Sequence, residues 1–179
     1  MVQELDFSLL YWIQAHLRCP FLDGLMPKIS RMGDYGIIWI LVAVLMLLTV
    51  RHRRGGITLA AGLVCSPLIG NLLLKPLVAR PRPCWLDETV VLLVASPKDY
   101  SFPSGHSLCA FIAAVILLRY DRRFGIPALI LAVLIAFSRL YLFVHFPSDV
   151  LAGILLGIGI GLGISLLGER YLRRKEDWV

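Results

Sequence analysis

The sequence has little charge and few cysteines, and each shortage excludes a class of protein. Charged residues occupy 17% of the 179 positions, and the four cysteines lack the paired spacing of metal ligands. A cysteine-based metal site or a disulfide framework is therefore excluded, although a single Cys19–Cys84 disulfide stays open if both residues face an oxidising compartment. The chain also has no long internal repeat and no low-complexity tract. Because Glu4 and Asp6 stand where a basic segment would be required, we predict no cleavable signal peptide.

Apolar residues dominate what remains. They make up 58% of the chain, and the mean hydropathy is +0.78, so the bilayer is the expected solvent. The net charge of +6 comes from basic residues in short runs between apolar stretches, which is how membrane proteins set their orientation. We therefore predict one integral-membrane domain over residues 1–179, with the lipid bilayer as a partner and no binding of nucleic acid. The sequence carries no signal for an oligomeric state.

Five apolar segments are bounded by charge or proline. They are Tyr35–Val50, Ile57–Leu74, Ser107–Leu118, Ile126–Phe143 and Val150–Leu167. Several are shorter than the roughly 20 residues of an ideal span, so helix extension, snorkelling arginines or local thinning must help them to cross. The predicted fold is an all-α membrane bundle of five to six transmembrane helices.

Residues 1–31 precede these segments as an amphipathic lead-in. Leu9, Leu10, Ile13 and Leu17 recur at helical spacing, and Pro20 ends the pattern. Such a helix is predicted to lie in the membrane interface. The alternative is a short helix that dips into the membrane.

Orientation follows from the connections between the segments. Basic clusters lie at residues 51–54, 119–123 and 170–175, and all three fall on one side if the five spans alternate. By the positive-inside rule that side is the cytoplasm. The last segment also contains Gly153, Gly157 and Gly161, a ridge of small residues that favours close helix packing within the monomer.

The connection from Pro76 to Phe102 is too long to be a simple connector, which suggests a function. It contains seven apolar residues, TVVLLVA, that cannot span a membrane. Two interpretations stay open for the 85–100 region: a lip that dips into the outer interface, and a surface hairpin.

Polar residues collect at the ends of the spans on the opposite side from the basic clusters. Lys75 and Arg82 follow the second span, and Arg139 lies near the end of the fourth. Three cations close together in a membrane require an anion. The third and fifth spans also begin on this side, and their N-terminal N–H groups carry partial positive charge. Gly105 at one of these helix starts lets a bound group approach the backbone, so together these features predict a phosphate site.

Two histidines complete the predicted chemistry. His145 and Asp149 are spaced i to i+4 across a helix start, so the carboxylate is expected to accept a ring N–H directly and leave the other nitrogen as a lone pair. Such a histidine can attack phosphorus, and His106 can protonate the departing oxygen. The alternatives are a simple helix cap at the PSGH segment and a metal site built on the two histidines and Asp149, against which the neighbouring cations argue. Arg80 is interpreted as an interface or headgroup contact.

The ordered motifs resemble the type 2 phosphatidic-acid phosphatase superfamily of integral-membrane lipid phosphatases. The family pattern is K-x6-R-P, then P-S-G-H, then S-R-x5-H-x3-D. It is met by Lys75, Arg82, Pro83, Pro103, Ser104, Gly105, His106, Ser138, Arg139, His145 and Asp149. The catalytic motifs thus run from residue 75 to residue 149.

The resemblance implies a role for each matched residue. His145 becomes phosphorylated with the support of Asp149, and His106 is the acid. Lys75, Arg82, Ser104, Gly105 and Arg139 hold the phosphoryl oxygens, and neither a metal nor another cofactor is needed. Members of the family often have six spans, which leaves the span count open.

The resemblance does not fix the lipid. A site on the outer face of a bacterial cytoplasmic membrane would meet the carrier-lipid diphosphate released during cell-wall synthesis, so undecaprenyl diphosphate is the hypothesised substrate. Phosphatidylglycerophosphate or phosphatidic acid is the alternative. Two further function classes are a lipid-phosphate carrier or scaffold without activity, and a metalloenzyme.

Overall fold

The computed structural model describes residues 2–176, and within that range it is helical without a strand. The helices are α1 (Val2–His16), α2 (Pro20–Met32), α3 (Ile37–Leu48), α4 (Arg53–Pro67), α5 (Lys75–Val78), α6 (Pro83–Leu86), α7 (Gly105–Tyr120), α8 (Arg122–Tyr141) and α9 (Pro147–Glu176). Short 3₁₀ turns at Asp34–Gly36 and Val50–His52 precede α3 and α4, and a π-helical stretch, Leu68–Leu74, joins α4 to α5. The side chains of the basic residues Arg173, Arg174 and Lys175 lie outside the described residues.

Helix α7 is the centre of the bundle and packs against α4, α8 and α9. Every side chain from Ala110 to Ala114 is buried, as expected for a helix that is apolar on all sides. Helix α9 approaches α7 closely because glycines face it: a Cβ atom at Gly157 would lie 2.8 Å from the Leu108 carbonyl oxygen. The predicted glycine ridge therefore packs inside the chain.

Several helices are suited to a membrane. Among the described residues, three helical stretches are long and apolar enough to cross it: Val50–Leu86, Arg122–Tyr141 and Pro147–Arg170. Helix α2 and the stretch Asp34–Leu48 form a fourth if they count as one span bent by 46°. Helix α7 is apolar but shorter. The prediction of an all-α, multi-pass membrane protein is confirmed.

The lead-in is not the single amphipathic helix that the sequence predicted. Residues 2–32 form two helices, and the second, α2, continues through the bend into α3. Pro20 does not merely end α1, because it also occupies the first turn of α2, where a proline is well tolerated. Pro27 and the charged residues of α2 hid this helix from the sequence pattern.

Helix α1 lies across one end of the bundle, where α8 ends and α9 begins. Gln14 Nε2 donates to the Tyr141 carbonyl oxygen at 2.9 Å, and the Phe7 ring meets Phe146 edge to face at 5.1 Å. Tyr11 donates to the Asp87 carboxylate at 2.7 Å in the long connection. This end of the bundle also carries the polar residues of the predicted site.

Candidate active site

The predicted site residues converge from five parts of the chain. A cavity of about 800 Å³ is lined by Lys75, Arg82, Gly105, His106, Arg139 and His145. Ser104 and Asp149 are fully buried and lie behind that wall. All eight predicted residues therefore belong to one site, although they are spread over 75 positions of sequence.

Arg82 is the most deeply placed cation of the site, with a side chain 2% exposed. Its Nη1 donates to the Val144 carbonyl oxygen at 2.7 Å and to His145 Nε2 at 3.0 Å. Its Nε and Nη2 donate to the backbone oxygen and the carboxylate of Asp99 at 2.6 and 2.7 Å. The guanidinium is thus fixed between the predicted nucleophile and a carboxylate of the long connection.

Asp99 lies against the cations that were predicted to hold phosphate. Besides Arg82, Lys75 forms a hydrogen-bonded ion pair with its carboxylate. Burial by itself would raise the pKa of Asp99, but the hydrogen bond from Lys75 and the charge of Arg82 outweigh it and lower this pKa to about 2. Asp99 therefore stays ionised at working pH and pairs with two of the cations that were predicted to hold phosphate.

Arg139 comes from the last turn of α8 and is 6% exposed. Its Nη1 donates to Ser30 Oγ of α2. Its Nε is buried and has no hydrogen-bond partner among the described residues. A buried guanidinium N–H without an acceptor is costly, so Arg139 retains capacity to bind an oxyanion.

The start of α7 forms one wall of the cavity. Ser104 is the N-cap residue, and its backbone N–H donates to the Asp149 carbonyl oxygen at 3.1 Å, which ties α7 to α9. A Cβ atom at Gly105 would lie 3.4 Å from Asn71 Oδ1 and 3.9 Å from Lys75 Nζ. The absence of a side chain at Gly105 therefore keeps the space beside Lys75 open for a ligand.

His145 lies in the short connection between α8 and α9 and is 1% exposed. Burial, followed by the charges of Arg82 and Arg139, lowers the pKa of His145 well below its ordinary value. Because Arg82 Nη1 is a donor, Nε2 of the neutral ring is the acceptor and carries the lone pair. The proton then resides on Nδ1, and the lone pair is held beside the cations.

The predicted direct hydrogen bond from His145 to Asp149 is not formed. His145 Nδ1 is 3.9 Å from Asp149 Oδ2, and Ser101 Oγ lies between them, 3.3 Å from Nδ1 and 2.5 Å from Oδ2. The prediction was wrong on this point because the loop before α7 inserts a hydroxyl between two side chains that sequence spacing placed in contact. Asp149 therefore orients the ring through Ser101.

Arg80 is a direct partner of Asp149 and not a headgroup contact. Its Nη1 donates to Asp149 Oδ1 at 2.5 Å, and its Nη2 donates to Asp6 Oδ2 of α1 at 2.7 Å. Asp6 also accepts from the backbone N–H of Ser148 at 2.9 Å. The guanidinium lies 4.2 Å from the Phe146 ring centroid, a cation–π contact. These contacts join α1 to the carboxylate behind His145.

His106 has a carboxylate partner that the sequence did not suggest. Its Nε2 is 2.8 Å from Asp34 Oδ1, in the turn between α2 and α3. The ring is 20% exposed and lines the same cavity as His145. The two histidines therefore share one cavity, and each has a carboxylate behind it.

The 85–100 region forms neither a hairpin nor any other regular structure after Leu86. Residues 94–99 line the cavity, and Trp85 Nε1 donates to the Pro97 carbonyl oxygen at 3.1 Å. Val90, Leu92, Leu93 and Val94 are partly buried against the core. The long connection is a wall of the site.

The sequence left open a Cys19–Cys84 disulfide and a metal site. Cys19 and Cys84 are free thiols, so the disulfide is not formed. Among the described residues, no group of three or more His, Cys, Asp or Glu side chains is arranged to hold a metal ion.

The family model that matches the chain is the PAP2 superfamily, over residues 55–172. Two similar proteins are named for different phosphate compounds. The undecaprenyl-diphosphatase of Sulfolobus acidocaldarius is 41% identical over 76% of this chain and 66% of its own length. The decaprenylphosphoryl-5-phosphoribose phosphatase of Mycobacterium tuberculosis is 33% identical over 78% of this chain and 77% of its own.

A solved structure has the same fold. The PAP2-type phosphatidylglycerolphosphate phosphatase of Bacillus subtilis superimposes with a TM-score of 0.76 at 27% identity, covering 94% of this chain and 87% of that protein. The match reaches beyond the family segment into the N-terminal helices, since 94% of the chain is more than residues 55–172 supply.

Proposed function

The chain belongs to the PAP2 superfamily, and we propose that it hydrolyses the terminal phosphoryl group of a polyprenyl diphosphate, undecaprenyl diphosphate in a bacterial membrane. The observation that carries this proposal is the lone pair of His145 Nε2, held 3.0 Å from Arg82 Nη1 in a cavity that Lys75 and Arg139 also line.

In the first step, His145 Nε2 attacks the terminal phosphorus. A P–N bond forms as the bond from phosphorus to the bridging oxygen breaks, and His106 gives its proton to that oxygen. As negative charge grows on the equatorial oxygens, the fixed cations Lys75, Arg82 and Arg139 stabilise it. The lipid leaves as a monophosphate and the enzyme is left as a phosphohistidine.

In the second step, water attacks the phosphohistidine in line with the P–N bond. His106, now neutral, accepts the water proton, and His145 is the leaving group. The reaction releases inorganic phosphate and restores both histidines. Ser104 and the Gly105 N–H are proposed to bind phosphoryl oxygens at the start of α7, where the helix dipole favours an anion. This mechanism calls for no metal or other cofactor.

The charge and the leaving group of a diphosphate favour it as the substrate. A diphosphate brings more negative charge to three cations than a monoester does, and its leaving oxygen is a phosphate oxygen rather than an alkoxide. The diphosphatase relative supports this choice, whereas the phosphatidylglycerolphosphate phosphatase supports a glycerophospholipid monoester as the runner-up.

The proposed topology has five crossings, built on α2 with α3, α4 with the π-helical stretch, α7, α8 and α9, with α1 in the interface. The exposed apolar side chains Leu5, Leu9 and Trp12 of α1 suit the interface. Residues 1–179 are proposed to act as one catalytic domain of the cytoplasmic membrane, with the site on its outer face.

Phosphate release from a panel of lipids tests the activity. Detergent-purified protein is expected to hydrolyse undecaprenyl diphosphate at least as fast as phosphatidylglycerophosphate and phosphatidic acid. The opposite preference would favour the runner-up substrate, and tight binding of all three lipids without turnover would favour a carrier.

Cysteine labelling tests the topology in a variant whose four native cysteines are serine. A Lys98→Cys substitution at the cavity wall should react with a membrane-impermeant maleimide in intact cells. The matched Arg123→Cys substitution should react only after permeabilisation. The reverse pattern would invert the proposed orientation.

A further inference from the structure

The two histidines of the cavity have unequal carboxylate partners. Asp149, behind His145, forms an ion pair with Arg80, whose Nη1 lies 2.5 Å from its Oδ1 and whose Nη2 contacts Asp6. Asp34, behind His106, makes no ion pair with a lysine or arginine among the described residues. Two histidine–carboxylate pairs in one site therefore differ in the net charge beside the ring, which is how one enzyme sets two roles for similar groups.

Asp34 contacts one nitrogen of His106 and leaves the other available. Asp34 Oδ1 is 2.8 Å from Nε2, so a proton on Nε2 is donated to the carboxylate. Nδ1 has no hydrogen-bond partner in the part of the chain that the structure describes. Because the ring lines the cavity, Nδ1 is the nitrogen that remains to give a proton to a ligand.

The turn that carries Asp34 is pressed against the imidazole ring. A Cβ atom at Gly33 would lie 2.8 Å from His106 Cδ2. Tyr35, directly after Asp34, has φ of 53°, and Gly36 has φ of 68°. The Tyr35 side chain is 94% exposed, so its own packing does not explain a left-handed conformation that costs a non-glycine residue free energy. The neighbouring carboxylate supplies a reason for the turn.

We propose that Asp34 is a positioning residue, which holds His106 with Nδ1 toward the leaving oxygen and stabilises the protonated ring. This inference rests on the proposed function, in which His106 is the general acid. Asp34 lies before residues 55–172, so the family match does not include it. The N-terminal third of the chain then supplies part of the catalytic apparatus.

The charges around His106 explain why its protonated ring needs a carboxylate partner. The ring shares its cavity with Lys75 of α5, Arg139 of α8, Arg31 of α2, Arg82 and His145. Cations disfavour a protonated ring, and Asp34 is the carboxylate that contacts it. Bound phosphate offsets the cations only while substrate is present. Removing the Asp34 charge should therefore leave His106 protonated over a narrower pH range.

The test compares Asp34→Asn with the wild type on farnesyl diphosphate and farnesyl monophosphate. The probes share a tail, but the monophosphate must expel an alkoxide and depends more on proton donation. Since positioned acids contribute about 10²- to 10⁴-fold, Asp34→Asn should lower kcat at least about tenfold on the monophosphate and clearly less on the diphosphate. On the diphosphate, the alkaline limb of the kcat–pH profile should move to lower pH.

Two further variants separate this role from a structural one. Asp34→Glu keeps the carboxylate and should recover most of the activity and the wild-type alkaline limb. Asp23→Asn removes a carboxylate from the same N-terminal segment, where it accepts from the Tyr141 hydroxyl, and should change neither the substrate ratio nor the pH profile. Equal losses on both probes with an unmoved limb, or no loss at all, would overturn the role of Asp34.

Failure of the proposed function would look different. In that case the wild type would release phosphate from neither probe, or His106→Ala would be as active as the wild type. An active wild type, an inactive His106→Ala and an Asp34→Asn with an unchanged substrate ratio and pH limb would instead refute only the inference about Asp34.

Discussion

The close contact between α9 and the start of α7 predicts that one methyl group at Gly153 impairs catalysis. A Cβ atom there would lie 2.7 Å from the Ser104 carbonyl oxygen and 3.2 Å from the Leu108 N atom. The first distance is about 0.7 Å short of ordinary van der Waals contact, which begins near 3.4 Å. Both atoms belong to the backbone, so no side chain can rotate away. Gly153→Ala must push apart the two helix starts, and the residues Gly105 and His106 move with α7.

The expected loss follows from that displacement. Because a misplacement of about 1 Å can cost about 10²-fold in rate, a shift of roughly 0.7 Å should lower kcat about 10- to 50-fold. Overpacking should also lower the free energy of unfolding by about 1–3 kcal/mol. The assay is phosphate release from a saturating lipid diphosphate in detergent, with a thermal unfolding curve for each preparation.

Two alanine variants of the same helix serve as controls. Gly159→Ala meets no atom within 4 Å, so it should keep the wild-type rate. Gly157→Ala meets the Leu108 carbonyl oxygen at 2.8 Å but lies about 6 Å further along the helix from the site. It should destabilise the protein as much as Gly153→Ala and slow it less. If Gly153→Ala keeps full activity, or if Gly157→Ala is equally slow, the helix contact does not set the geometry of the site.

Three further predictions concern the charged groups of the cavity. His145→Ala should abolish turnover, and Asp149→Asn should slow it by up to about 10⁴-fold, as loss of an orienting carboxylate does in catalytic triads. Asp99→Asn should strengthen inhibition by vanadate, because Lys75 and Arg82 lose a competing anion; the inhibition constant for vanadate should fall. Because the pKa of Asp99 is about 2, its ion pairs and their contribution to stability are lost only as the pH falls below the ordinary aspartate range. Asp99 is therefore ionised at both pH 6 and pH 8, and the change in vanadate inhibition caused by Asp99→Asn should be equal at these two pH values. Incubation with EDTA should leave the rate unchanged, because fixed cations carry out the charge neutralisation that Mg²⁺ supplies elsewhere.

Each of these predictions has an outcome that contradicts it. Substantial phosphate release by His145→Ala would remove its role as nucleophile. A weaker vanadate inhibition of Asp99→Asn would mean that the carboxylate helps to bind the ligand instead of competing with it. Inactivation by EDTA with rescue by a divalent cation would require a metal.

The features that have a local signal in the sequence could be predicted from it. Helix α7, the glycine ridge of α9 and the positions of Lys75, Arg82 and His145 could be predicted, because hydropathy and motif spacing are read directly from neighbouring residues. Six of the eight predicted residues line one cavity, and Ser104 and Asp149 are buried behind its wall. Alternating spans place the ends that carry these residues on one membrane face, and packing of the helices then brings them together.

The partners of these residues could not be predicted in the same way. Asp99, Ser101 and Asp34 have ordinary polar surroundings in the sequence, and their roles depend on where a loop or a turn is folded back. Arg80 carried a weak signal, since it lies two positions before Arg82 and directly before Pro81. The acidic Asp6 in an apolar helix was a second signal, because a buried carboxylate requires a partner.

The contact of α1 with the site has a consequence for how the molecule is assembled. Asp6 is synthesised 142 residues before Ser148, its hydrogen-bond partner, and 74 residues before Arg80. Until the connection between α8 and α9 has been inserted, Asp6 lacks the backbone N–H of Ser148, and Arg80 lacks the carboxylate of Asp149. Helix α1 is synthesised before the other described helices and is therefore among the last of them to dock. We infer that a nascent chain is catalytically silent until its final hairpin is in the membrane, so an incomplete translation product cannot consume lipid phosphate.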